Sequence, residues 1–138
     1  MDVDLALLAD AATIDASGKL NVLGVFDRIA AAEFPAKHGR VSLVLRFSAG
    51  LEDAGKHELA IRLRDPSGGE VVGLNGSIKL GAGPASSGGR VKVPRVLNLD
   101  GLVFEEPGPY TFEVLVDGEL FTSIPLNLVQ NKAPRSQA

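Results

Sequence analysis

Two histidines are the first candidates for acid–base or metal chemistry in this sequence, and they stand apart. His38 is expected in a loop and His57 at the start of a strand. No His-x-His or His-Glu spacing aims two ligands, or a base and its partner, at one point. Serines are present without a Gly-x-Ser-x-Gly elbow, and no Ser/His/Asp set assembles. Gly81-Ala-Gly83 and Gly88-Gly89 have the composition of a phosphate cradle. No helix is expected after them to supply the amide donors, so residues 81–89 read as a flexible loop.

Aspartate is the remaining source of chemistry. Asp10, Asp15, Asp27, Asp53, Asp65, Asp100 and Asp117 are all expected at or near strand ends. Sandwich domains that hold calcium gather carboxylates in this way. Here no Asp-x-Asp run lies in a loop, because Asp2-x-Asp4 falls on the N-terminal strand. Aspartate in turns also has the simpler task of capping nearby backbone amides. A calcium- or small-ligand-binding module is therefore the alternative reading, and an undetected hydrolase the next. No catalytic residue, cofactor or metal ligand is assigned.

Composition narrows the field further. The 138 residues contain no cysteine, which excludes a disulfide framework, a thiolate metal site and a cysteine nucleophile. There is no tryptophan and one tyrosine, which weakens readings that need aromatic platforms for sugars or single-stranded nucleic acid. A net charge of -3 also speaks against a nucleic-acid partner. Arg46, Arg62 and Arg64, with Glu58 near them, read as a solvated sheet face. No stretch approaches the roughly 18 apolar residues that span a bilayer, so no membrane partner is expected. Asp2 and Asp4 stand where a secretory leader carries basic residues, and the cytoplasm is the expected compartment.

The elements that would position these residues are strands. At 45% hydrophobic, the chain is apolar enough to fold around one core. Val41, Leu43, Leu45 and Phe47 alternate on one face of 40–49. Leu59, Ile61 and Leu63 do so on 56–65, and the first strand is expected over 2–9. Turn residues punctuate the chain at intervals that predict about eight strands. The expected fold is a single all-β, antiparallel, immunoglobulin-like sandwich over residues 1–129, with a disordered tail from 130 to 138. Residues 30–39 are irregular, with room for a short helix over 30–34 before Pro35. Residues 90–104 are expected to hold one or two strands.

The last hairpin sets a register problem. Tyr110, Phe112, Val114 and Val116 share one face, and Leu120, Ile124, Leu126 and Leu128 share another. A two-residue Asp117-Gly118 loop would set the two groups on opposite faces. A three-residue turn with left-handed Gly118 would bury both, and is expected on that ground. It leaves Leu115 and Phe121 on the outer face as a candidate contact surface. The run 19–29 is apolar on both faces, with Leu20, Val22 and Phe26 on one and Leu23, Val25 and Ile29 on the other. The second face would be covered by residues 30–39 or by a partner chain. Leu115, Phe121, Leu23 and Val25 are thus the candidate interface.

Three stretches carry a resemblance: Leu7-Leu-Ala-Asp-Ala with Gly18-Lys-Leu-Asn-Val-Leu-Gly-Val-Phe-Asp27, Leu97-Asn-Leu-Asp-Gly-Leu102, and Pro107-Gly-Pro-Tyr-Thr-Phe-Glu-Val-Leu-Val-Asp-Gly118. From residue 2 to about 129 the chain resembles a bacterial domain-of-unknown-function family of small β-sandwich proteins. The Pro-Gly-x-Tyr-x-Phe-x-Val element is similar to one that starts a core strand in immunoglobulin-like sandwiches. The resemblance implies a fold and supplies no catalytic residue. The function expected is that of a non-enzymatic module acting by protein contact, as a homo-oligomer or with another protein.

Overall fold

A computed structural model describes residues 1–81 and 90–131. Among these residues are nine strands: β1 (Asp2–Ile14), β2 (Leu20–Phe26), β3 (Arg28–Ala31), β4 (Ala36–Ala49), β5 (Gly55–Arg64), β6 (Glu70–Leu80), β7 (Val91–Phe104), β8 (Gly108–Val116) and β9 (Glu119–Gln130). They form a four-stranded sheet, β2-β1-β4-β7, and a five-stranded sheet, β3-β9-β8-β5-β6. The expected loop at 81–89 and the expected tail lie, from residues 82 and 132 onward, outside the described residues.

Alternation builds the core as expected. Val41, Leu43, Leu45 and Phe47 of β4 are fully buried, opposite Leu63, Phe112 and Val114 from the five-stranded sheet. At the β7–β8 corner the Tyr110 hydroxyl donates to the Glu106 carbonyl oxygen at 2.8 Å. The Tyr110 ring meets Phe104 edge-on at 5.0 Å. A buried tyrosine bonded back to the corner that precedes its strand is a feature of immunoglobulin-like sandwiches, and this sandwich is one.

The structure departs from the sequence reading where the chain changes sheet. The run 19–29 is two strands rather than one. β2 ends at Phe26, and after Asp27 the chain enters the other sheet, where β3 runs parallel to β9. Ile29 therefore lies in the core and not beside Leu23 and Val25. One parallel pair thus stands in an otherwise antiparallel sandwich. Residues 30–34 form no helix, because β3 occupies their start. Residues 91–104 are one continuous strand, held along its length by β4.

β1 pairs with β4 only up to Ala9, and its second half pairs with β2 alone. The tip of this hairpin borders a cleft shared with the four-stranded sheet. Gly18, Lys19 and Leu20 line the same cleft as Arg46 of β4 and Lys92 of β7. Val44 and Ser42 alternate with the core-facing residues of β4 and are fully buried as well. The Ser42 hydroxyl remains satisfied by Asn98 Oδ1 at 2.7 Å.

The last hairpin resolves its register in another way. Val116 pairs with Glu119, and the two-residue turn holds Asp117 and Gly118 at φ of 52° and 80°. Both are left-handed, as the turn best matched to strand twist requires. Register is recovered one step later. Leu115 pairs with Leu120 and Val114 with Thr122, so Phe121 is an extra residue in β9. Beyond this bulge Ile124, Leu126 and Leu128 face the core with Tyr110 and Phe112. Before it, Leu120 points outward.

Candidate functional site

Leu23 and Val25 are the most exposed large apolar residues described, at 72% and 64% of their surface. They pair with Ala11 and Ala9 of β1, on the side of the hairpin opposite Phe26 and Leu8. β2 is also a sheet edge, with β1 as its one hydrogen-bonded neighbour. Unpaired edge amides and carbonyls invite another strand, and most edges carry something that discourages it.

The other described edges do. β7 carries Lys92, Pro94 and Arg95, and Arg95 lies opposite Leu45 on the inward-facing side of the strand. β6 turns Gly73, Asn75, Ser77 and Lys79 outward. β3 has four residues and begins with Arg28. β2, Leu-Asn-Val-Leu-Gly-Val-Phe, has neither a charge nor a proline.

Phe121 is not on the outer face, where the three-residue turn would have put it. As the bulge residue it packs against the core, and Leu120, 53% exposed, takes the outer position beside half-buried Leu115. The outer pair on this hairpin is thus Leu115 and Leu120. It lies in the opposite sheet from Leu23 and Val25.

The titratable residues make local structure. His57 is on β5 and His38 on β4, where the latter sits 6.0 Å from the Phe26 ring. His57 Nδ1 meets Asp117 Oδ2 at 2.7 Å, and its Nε2 meets the Asp53 carbonyl oxygen at 2.6 Å. A carbonyl only accepts, so Nε2 carries a proton, and the carboxylate favours a second proton on Nδ1. The contact with Asp117, supported by that with Asp53, raises the His57 pKa above the ordinary histidine value. Both contacts thus favour the doubly protonated ring.

Asp15-Ala-Ser-Gly-Lys and Asp65-Pro-Ser-Gly-Gly close two turns in the same way. Asp15 accepts from the amide and hydroxyl of Ser17 and from the Lys19 amide. Asp65 does the same with Ser67 and Gly69. The serine hydroxyls hold both carboxyls below the usual carboxylate range. Among the described residues no three His, Asp or Glu side chains converge as a metal site. The arginines expected on one face are divided between the two sheets. Arg46 pairs with Asp4, while Arg62 pairs with Glu70 and Arg64 with Glu113. No described helix is long and apolar enough to cross a membrane.

A family model described as a family of unknown function, DUF6941, matches residues 4–129. The chain belongs to DUF6941. No curated protein matches this DUF6941 member. Among solved structures it is similar to the alkylpurine DNA glycosylase AlkC of Pseudomonas fluorescens, in a complex with DNA containing an abasic site analog. The TM-score is 0.50 at 15% identity, over 93% of this chain and 30% of that one. The DUF6941 chain thus spans less than a third of the glycosylase. An immunoglobulin-like protein from Pseudomonas aeruginosa is also similar, with a TM-score of 0.41 at 12% identity, over 92% of this chain and 94% of that one.

Proposed function

We propose that this DUF6941 protein is a non-enzymatic, cytoplasmic interaction module that joins a second copy of itself through β2. The observation that carries the reading is the unprotected edge of β2 with Leu23 and Val25 exposed upon it. An antiparallel β2–β2 contact across a two-fold axis is self-complementary, as a closed dimer requires. It would unite two four-stranded sheets into one and bury the apolar pair of each copy. A net charge of -3 and the local pairing of the arginines favour a protein partner over the DNA held by the glycosylase neighbour.

Light scattering on a sizing column tests this. The expected result is a dimer that becomes a monomer in the Leu23→Ser/Val25→Ser variant with its melting temperature kept. A monomer at every concentration, or a dimer indifferent to both substitutions, would overturn the reading.

A further inference from the structure

The cleft bordered by the β1–β2 hairpin has the make-up of a ligand site, separate from the β2 edge. We propose that it binds a small amphipathic anion, a carboxylate carrying a short alkyl chain. Its volume is about 550 Å³, within the range of small-molecule sites. Leu5 and Leu7 of β1, Leu20 and Val22 of β2 and Pro94 of β7 give it an apolar lining. The four β1 and β2 side chains are only half-buried, whereas neighbouring Val44 is completely covered. The half-covered side chains leave apolar surface in the cleft for an alkyl chain to fill.

Positive charge is in excess at this cleft. Lys19, Arg46 and Lys92 line it, and none of its described lining residues is acidic. Asp4, the extra residue of a bulge in β1, accepts from Arg46 Nε at 2.8 Å and also bonds Lys92. One carboxylate between two cations leaves positive charge over. The Lys19 ammonium has no ion-pair partner among the described residues. A ligand carboxylate bound between Lys19 and Arg46 would supply the missing counter-charge while its chain lies along the apolar lining.

Sodium octanoate is the probe, with acetate and 1-octanol as controls for the chain and the charge. The full chain is titrated by calorimetry and by amide chemical shifts. The expected result is saturable one-to-one binding of octanoate, with shifts centred on residues 5–7 and 19–22. Affinity should fall about tenfold in Lys19→Gln and for each control, and binding should be lost in Val22→Phe, which fills the cleft. Melting curves establish that both variants fold; should Val22→Phe unfold, Leu7→Phe serves instead. No saturation by about 10 mM octanoate, or binding unchanged by Lys19→Gln and the filling variant, would overturn the proposal. Because Leu23 and Val25 do not line this cleft, either result leaves the β2 dimer to stand or fall by its own test.

Discussion

Gly108 lies against the ring of Pro66, so close that a methyl group on its Cα would come within 2.8 Å of the proline Cγ. The residue also holds φ at +133°, a conformation that side chains rarely adopt. The contact locks the start of β8 to the turn between β5 and β6. It gives a physical reason for glycine in the Pro-Gly-Pro-Tyr motif. Gly108→Ala is expected to cost about 2–3 kcal/mol, measured by urea denaturation. A loss below about 0.5 kcal/mol would show that the corner tolerates a shift.

Tyr110→Phe should keep the core packing and lose the bond to the Glu106 carbonyl. The expected loss is about 1 kcal/mol, with the denaturant slope unchanged. An equal stability for the two proteins would mean that water replaces the hydroxyl at no cost.

Leu120 and Phe121 should behave in opposite ways. Leu120→Ser is expected within about 0.5 kcal/mol of the parent, because the side chain is largely in solvent. Phe121→Ser removes a ring packed on the core and is expected to cost about 2–3 kcal/mol. The reverse order in chemical denaturation would place the bulge elsewhere.

The His57–Asp117 contact makes stability depend on pH in a defined direction. The folded-state pKa of His57 is raised, so its contribution is complete below the ordinary histidine value of about 6.5. That contribution is lost as pH rises through the raised value. The His57 ring lowers the Asp117 pKa, so the aspartate's share is present above about pH 4 and lost on further acidification. The melting-temperature advantage of the parent over His57→Gln should therefore be largest near pH 5–6 and shrink toward about pH 9. A constant or growing difference over that range would contradict an imidazolium held by two acceptors.

Much of the fold was legible because strands announce themselves by alternation. Val41 to Phe47 and Tyr110 to Val116 turn the expected side chains inward. Alternation reports a face and is silent on which sheet owns it, so the crossing at Asp27 was not visible. The bulge at Phe121 was hidden for a related reason. The demand that four apolar residues share a face was read as a demand on turn length. The chain keeps the favoured two-residue turn and meets the demand for three of the four with one extra strand residue. The exposed pair Leu23 and Val25 was legible as a run apolar on both sides. The His57–Asp117 contact was not, because β5 and β8 bring together residues 60 apart.

The parallel pairing of β3 with β9 also orders events during synthesis. β3 is complete at residue 31, yet its one sheet partner ends at residue 130. A nascent chain therefore leaves the ribosome with Ile29 unplaced until the final strand has emerged. The edge of the five-stranded sheet can close only then, across the 99 residues that separate Arg28 from its partner Asn127.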